Sequence, residues 1–409
     1  TLPQLDALGE ESIVFERAIA QAPNTPPSHM SIFTSLYPTL HGFFGSGDRL
    51  AGWRLTLTEY LREAGYRTLA TTDGAFMRGW FGFGQGFETY DDRDKGIAQS
   101  VPLIFDWLDG GIARERYFIF LHCYDVHSPY APPAPYRHLY TDPDYAGGFH
   151  PGSQELEQIR HRVNDDPAAG HGLSPDDIAY IRARYDGGVT YADHWMGRLI
   201  DGLRQRGLLE TTWLIVTSDH GEEFTEHGSV LHEKLYHTVT HVPLIVRPPD
   251  DPRLGGVAAS RRGVRVGEVV ELIDLMPTML ELAGRTPVGP VQGASLMNLL
   301  GGDPSPWKNI AHSELPWYGR QRARTTTDLH IITSLEDPSF EVYRYREDPL
   351  EQVPLADDAW TAEVPGEARA LLDWSAEQIL DAAGQRRGTA PMVLDEETER
   401  QLRALGYIQ

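Results

Sequence analysis

The chain has 409 residues, 41% of them hydrophobic and 10% aromatic, which suits a large core domain with a smaller second domain. Its 36 Lys and Arg against 59 Asp and Glu give a formal charge of −23, which argues against nucleic acid or an anionic membrane surface as the main partner. The single cysteine, Cys123, excludes an intrachain disulfide framework and a cysteine-based zinc site. An anionic substrate would need local positive charge, which a bound metal supplies.

The sequence opens at Thr1, within a predicted helix and without an initiator Met, so we expect an upstream segment to be missing. A signal peptide or membrane anchor could belong to that segment. No apolar run within the chain approaches the ~18 residues of a membrane span. Localisation is therefore open between the cytoplasm and the periplasm, and the oligomeric state is open as well.

The first strand is predicted over residues 13–20. The prolines Pro26 and Pro27 that follow it predict irregular backbone, and Ser28 is a good N-cap for a helix over residues 30–36. Thr25 and Ser28 would then lie at the positive end of that helix, which favours phosphate or sulfate binding and a developing alkoxide. The alternative is a turn threonine and a capping serine.

Helices and strands alternate in the next part of the chain. Helices are predicted over residues 55–65 and 101–108, and strands over residues 66–70 and 117–121. This βαβ rhythm predicts an α/β fold with a parallel sheet and right-handed crossovers. Residues 130–175 are rich in Pro, Gly, Asp and His, and we predict long loops there that set substrate choice.

A long outer helix is predicted over residues 176–206, broken at Gly187 and Gly188. It leads into the apolar strand Trp213 to Thr217, which is followed directly by Asp219 and His220.

A carboxylate and an imidazole at the carboxyl end of a parallel strand lie where open α/β sheets bind ligands. Oxygen and imidazole donors together suit Zn or Mn better than Ca, so Asp219 and His220 are predicted metal ligands. The histidines that follow, His227, His232, His237 and His241, are candidate ligands or solvated side chains.

The best boundary in the chain is the Gly- and Pro-rich segment at residues 301–306. We therefore predict a catalytic domain over residues 1–305 and a C-terminal subdomain over residues 306–409. Alternating apolar runs in the second part predict a small antiparallel sheet, with a helix over residues 367–383 beside it.

Several motifs, in order along the chain, resemble the sulfatase family of the alkaline phosphatase superfamily. Residues 22–42, APNTPPSHMSIFTSLYPTLHG, resemble its first signature, and Asp219-His220-Gly221 with residues 235–246 resembles its second. Residues 270–280 and 341–349 resemble two further motifs of the family. The resemblance implies a three-layer sandwich with a large, mostly parallel sheet, and a metal-dependent hydrolase of small anionic phosphate or sulfate esters.

The resemblance places the family's nucleophile on Thr25 and its arginine on His29. A secondary alcohol cannot be oxidised to the aldehyde that sulfatases use, whereas related phosphodiesterases and transferases use a threonine alkoxide, so phosphoesters are favoured over sulfate esters. His127 and His232 match positions that bind the substrate's anionic group. The family's Asp-Asp strand, which also binds the metal, would precede Thr1.

The sequence leaves open the number of metal ions at the site and the class of reaction. One interpretation has a single metal, with His29, His127 and His232 binding the ester; the other adds a second metal at Asp125, His127 and His232. We favour the single metal. The rivals to a hydrolase are a phosphoryl-group transferase of the same superfamily and a catalytically silent protein that binds an anion.

Overall fold

The computed structural model describes residues 2–45, 47–147, 149, 153–315, 320–336, 339–357, 361, 364–385 and 396. The α-helices within these ranges are α1 (Pro3–Glu10), α2 (Thr25–Thr34), α3 (Pro38–His41), α4 (Leu57–Glu63), α5 (Ile97–Asp109), α6 (Ser153–Asp165), α7 (Pro175–Gln205), α8 (His237–Thr240), α9 (Pro252–Gly255), α10 (Leu275–Leu282), α11 (Met297–Gly301) and α12 (Pro365–Gln385). The strands are β1 (Ile13–Ile19), β2 (Arg67–Thr71), β3 (Thr89–Asp91), β4 (Tyr117–Leu121), β5 (Leu214–Thr217), β6 (Glu223–Phe224), β7 (Val230–Leu231), β8 (His241–Arg247), β9 (Val264–Glu271), β10 (Ala311–Glu314), β11 (Gln321–Thr325), β12 (His330–Ser334) and β13 (Phe340–Tyr343).

The strands confirm the predicted α/β class and the small C-terminal antiparallel sheet. One sheet has the order β5-β8-β1-β9, in which β1 and β9 are parallel and β8 is antiparallel to both of its neighbours. A second has the order β3-β2-β4 and is parallel throughout. The C-terminal sheet, β10-β11-β12-β13, is antiparallel throughout. The proposed domain boundary falls between α11 and β10.

Alternating side chains of β4 show how the layers are arranged. Phe118 and Phe120 pack in the cluster built with α2, α4 and α10. Tyr117, Ile119 and Leu121 pack in the cluster built with α1, α5 and α7, which also receives side chains of β5. Because successive side chains of a strand point to opposite faces, β4 lies between two helical layers. No ladder joins β4 to β5 in the described part of the chain.

Helix α2 begins five residues earlier than predicted, at Thr25, with Pro26 and Pro27 in its first turn. The prediction of irregular backbone there was wrong, because the first N–H groups of a helix have no intrahelical partner and proline fits that position. Every residue of α2 is buried. Met30 and Ile32 contribute to different apolar clusters, so both clusters hold the helix in place.

The predicted break in the long helix is absent, since α7 continues through Gly187 and Gly188. A Cβ atom at Gly187 would lie 2.3 Å from the carbonyl oxygen of Tyr136, so this glycine permits a close tertiary approach rather than a bend. That contact is invisible in the sequence.

Part of the segment predicted as loops is also helical, since residues 130–175 contain α6. Its side chains Leu156, Ile159 and Val163 follow helical spacing and are buried, which the high polarity of the surrounding sequence concealed. None of the helices described is long and apolar enough to cross a membrane.

His41 at the end of α3 gives a pH prediction. Its Nδ1 accepts the Phe43 N–H at 3.1 Å, so its second nitrogen, which lies 3.2 Å from the Pro27 carbonyl oxygen, carries the proton of a neutral ring. Burial lowers the pKa of His41 from 6.5 to about 3. Between these pH values the imidazole is protonated in the unfolded chain and neutral in the folded chain. The free energy of unfolding therefore falls as pH falls. We expect this histidine to remove roughly 3 kcal/mol between pH 6.5 and 4.

The measurement is urea unfolding of the wild type and of His41→Gln at both pH values. The variant is expected to be less stable at neutral pH and to lose less stability on acidification. Exposed His138 gives the matched control, His138→Gln, which should keep the wild-type slope. An unchanged slope in His41→Gln would contradict the assignment.

Candidate active site

Thr25 lies at the N-terminus of α2, where the helix dipole and the first N–H groups favour negative charge. Its side chain is almost fully buried, and Oγ1 lies 3.3 Å from Nε2 of His220. The Ser28 hydroxyl donates to the Asp219 carbonyl oxygen at 2.7 Å, which ties the first turn of α2 to the loop after β5. The threonine and the predicted metal ligands are therefore brought together.

Asp219 follows β5 and points its carboxylate toward imidazoles. Its Oδ2 lies 3.3 Å from Nδ1 of His29 and 3.5 Å from Nε2 of His220, and it is buried without a hydrogen-bond partner among the described residues. Burial alone would raise the pKa of this carboxyl group, but His220 and His29 hold it well below its ordinary value. The carboxylate is therefore charged at neutral pH.

The donor atoms at this point fit a divalent cation. Nδ1 of His220 lies 2.9 Å from the Gly221 carbonyl oxygen, so it carries the proton and Nε2 keeps its lone pair. Nε2 of His220 lies 3.3 Å from the Thr25 hydroxyl oxygen and 3.5 Å from Oδ2 of Asp219. An imidazole oriented by a backbone carbonyl, next to a carboxylate oxygen, is the donor set that Zn and Mn bind.

His127 lines the pocket and contacts His232 behind it, with the two Nε2 atoms 3.3 Å apart. Their Nδ1 atoms donate to the carbonyl oxygens of Ser128, at 2.9 Å, and Pro23, at 3.0 Å. Burial lowers the pKa of His127 to about 4 and that of His232 well below its ordinary value. The His232 ring lies 4.2 Å from that of His220. His220, His232 and His127 therefore form a row of neighbouring imidazoles, of which His220 contacts Thr25.

His29 occupies a different position from that of the other two predicted ester-binding histidines. Its Nδ1 donates to the Thr25 carbonyl oxygen at 3.0 Å and lies close to the Asp219 carboxylate. It therefore supports the first turn of α2 and the predicted metal ligand. Its ring packs 5.0 Å from that of His122.

The structure does not bring Asp125 together with His127 and His232. The Asp125 carboxylate accepts the Ile97 N–H at 2.7 Å and lies at the N-terminus of α5, where negative charge is favoured. The three side chains do not gather their donor atoms at one point among the described residues. Asp125 thus binds the first turn of α5 through a tertiary contact, which its position after β4 did not reveal.

The pocket is also lined by side chains to which the sequence analysis gave no role, among them His122, Tyr124 and Glu222. Burial lowers the pKa of His122 to about 3 and raises that of Glu222 well above its ordinary value. His122 and Tyr124 could have been predicted as His127 was, because they also lie just past the carboxyl end of β4.

The remaining histidines of the central stretch, residues 211–247, lie outside the pocket. His227 pairs with Glu223, and Nε2 of His241 donates to the Glu16 carbonyl oxygen at 2.7 Å. His237 is buried beside Glu351, on the side of α8 toward the C-terminal sheet.

Comparisons with known proteins identify the family of the chain. The family model described as Sulfatase matches residues 1–285. The chain is 26% identical to the multifunctional alkaline phosphatase superfamily protein PehA of Trinickia caryophylli, over 91% of this chain and 89% of that protein.

Two solved structures show the same fold. The phosphonate monoester hydrolase of Agrobacterium radiobacter is 20% identical, with a TM-score of 0.74 over 96% of this chain and 95% of its own. A protein solved with its substrate D-glucosamine-2-N,6-O-disulfate is 20% identical, with a TM-score of 0.75 over 95% of this chain and 94% of its own. With a family match over most of its length and a shared fold, the chain belongs to the sulfatase family of ester hydrolases, within the alkaline phosphatase superfamily.

Proposed function

We propose that the protein is a metal-dependent hydrolase of phosphate esters in which Thr25 is the nucleophile. The observation that carries the proposal is the contact of the Thr25 hydroxyl with His220, beside Asp219 and at the N-terminus of a buried helix. Such an environment lowers the cost of an alkoxide. A threonine hydroxyl is a direct nucleophile for phosphorus, and it cannot supply the aldehyde hydrate of a sulfatase.

In the proposed reaction the Thr25 oxygen attacks phosphorus in line and the bond to the leaving alcohol breaks. The resulting phosphothreonine is then hydrolysed by water, which releases phosphate or a phosphate monoester and restores the hydroxyl. Members of the sulfatase family bind a divalent metal. An ion held by Asp219 and His220 would supply positive charge to the attacking oxygen and to the transferring group.

His127 and His232 bind the ester's charge in this proposal. In both rings Nδ1 contacts a carbonyl oxygen, so Nε2 is the atom that would contact the ester. A phosphoryl oxygen cannot bind to two lone pairs, so at least one of these rings takes up a proton at Nε2 when the anionic ester binds. The ester's own charge favours that proton.

We further propose one metal ion, Zn or Mn, rather than two. The placement of the Asp125 carboxylate at the start of α5 supports this count, because one of its oxygens accepts the Ile97 N–H there. The phosphonate and sulfate chemistry named for the relatives leaves both ester classes as candidates, and the threonine is what favours phosphate.

The test is turnover of matched aryl phosphate monoester, aryl phosphodiester and aryl sulfate substrates with added Zn or Mn. We expect a phosphate ester to be hydrolysed at least ~100-fold faster than the sulfate. Faster sulfate turnover would overturn the proposal. A product formed on an added alcohol would indicate a transferase, and stoichiometric metal with no turnover of any ester would indicate an anion-binding protein.

A further inference from the structure

Three buried side chains with metal-binding atoms converge away from the active-site pocket. They are His237 at the start of α8, His330 at the start of β12, and Glu351 in the loop after β13. Oε1 of Glu351 lies 2.6 Å from Nδ1 of His330 and 3.4 Å from Nδ1 of His237. One donor atom from each residue lies within 4.8 Å of the other two.

The surrounding structure holds these donors in place. The second carboxylate oxygen of Glu351 accepts the His237 N–H at 2.8 Å, which leaves Oε1 for the two imidazoles. Nε2 of His237 lies 3.3 Å from the Thr325 hydroxyl. A hydrogen bond at the ring nitrogen that does not bind the metal commonly orients a metal-bound histidine. Glu351 itself has φ of 54°, which non-glycine residues rarely adopt, so the fold holds this backbone in an uncommon conformation.

The two imidazoles are arranged for a shared ligand. Their rings are stacked with centroids 4.1 Å apart and planes 11° from parallel, so both Nδ1 atoms approach the same carboxylate oxygen from one side. The Nε2 atom of His330 is buried without a hydrogen-bond partner among the described residues. Two imidazoles and one carboxylate, all nearly inaccessible to solvent, form the N₂O donor set that zinc binds.

We propose that His237, His330 and Glu351 bind a divalent cation of the zinc class at a site separate from the pocket. Tetrahedral donors ~2.0–2.1 Å from zinc lie about 3.3 Å apart, so side-chain adjustments of under about 1 Å would satisfy the Glu351 contacts. The fourth position is left to water. The ion would tie α8 to the C-terminal sheet.

Such an ion would also act on the active-site loop through the backbone. The N–H groups of Gly221 and Glu222 donate to the carbonyl oxygens of Val239 and Thr238, both in α8. Fixing α8 to β12 and to Glu351 therefore fixes the backbone that follows His220. The proposed ion is a structural one, whose removal is expected to loosen this loop.

The experiment separates the two proposed sites. In an Asp219→Asn/His220→Asn background of the full chain, zinc is removed by dialysis against chelator and then titrated back by calorimetry. We expect one zinc equivalent to bind and to raise the melting temperature. Adding His330→Gln or Glu351→Gln is expected to weaken binding by at least ~100-fold and to abolish the melting shift. His241→Gln, a histidine whose ring lies 5.9 Å from that of His237, is the matched control and should leave binding intact.

A spectroscopic measurement covers the case in which these variants fail to fold. X-ray absorption of zinc bound to the background variant should show two imidazoles and oxygen donors. Three results would each overturn the proposal. They are a background variant that binds no stoichiometric zinc, zinc binding that survives both added substitutions, and bound zinc that has no imidazole ligand. Because the background already lacks Asp219 and His220, these results do not depend on whether the protein hydrolyses phosphoesters.

Discussion

Replacing Thr25 with alanine is expected to lower kcat/KM for the preferred phosphate ester by about 10⁴-fold or more. The substitution removes the only atom that the proposed mechanism allows to attack phosphorus, while it leaves Asp219 and His220 in place. Metal content should therefore stay near the wild-type value, and the melting temperature should change little. The measurement is steady-state kinetics with metal analysis on the same samples.

Two variants serve as controls for this prediction. Thr25→Ser keeps a hydroxyl and should retain measurable turnover. Thr34→Ala removes a buried threonine of the same helix, whose hydroxyl donates to the Met30 carbonyl oxygen at 2.7 Å and has no contact with the pocket, so activity should be unchanged. Phosphoester turnover that survives in Thr25→Ala would show that Thr25 is not the nucleophile. A phosphothreonine at Thr25, trapped by rapid acid quench and located by mass spectrometry, would support the covalent step directly.

The central stretch was predictable because its signals are local. The apolar strand followed at once by Asp219 and His220 placed both side chains at the carboxyl end of β5, where the fold brings them to Thr25. The same local reasoning could not locate the side chain of Asp125, whose position after β4 resembles that of His127. Its carboxylate turns to the N-terminus of α5, and the choice between a helix cap and a pocket depends on tertiary structure.

The His237, His330 and Glu351 cluster was beyond sequence reasoning for a related cause. Glu351 lies 114 residues from His237 and belongs to the C-terminal part of the chain, so no spacing rule joins them. His237 was already a candidate ligand, but His330 comes from the C-terminal sheet and Glu351 from the loop after it, and tertiary packing sets the position of both against α8. Helix α7 shows the same limit, since Gly187 indicates a break until the close approach of Tyr136 is known.

A second large effect is expected on stability, from replacing Lys308 with methionine. Lys308 donates to two carboxylates that are almost inaccessible to solvent, contacting Oε2 of Glu271 and lying 2.9 Å from Oδ1 of Asp274. Burial raises the pKa of Asp274 to about 6 even with the lysine beside it. Without the lysine, no ion pair to either carboxylate remains among the described residues, and one of them must stay charged in a poorly solvated place or take up a proton. The expected loss in free energy of unfolding is about 3–5 kcal/mol.

Urea unfolding at neutral pH measures this loss, and its pH dependence identifies the cause. Because carboxylates without a cation favour protonation, Lys308→Met should regain part of its stability relative to the wild type as pH falls toward 5. Lys308→Arg keeps the charge and should lose much less. Arg265→Met breaks an exposed pair with Glu16, 3.8 Å apart, and should have little effect, since exposed ion pairs contribute little to stability. If Lys308→Met lost no more free energy of unfolding than Arg265→Met, the two carboxylates would have to be solvated or protonated in the folded protein. The lysine would then not hold β9 and the start of α10 to the segment before β10.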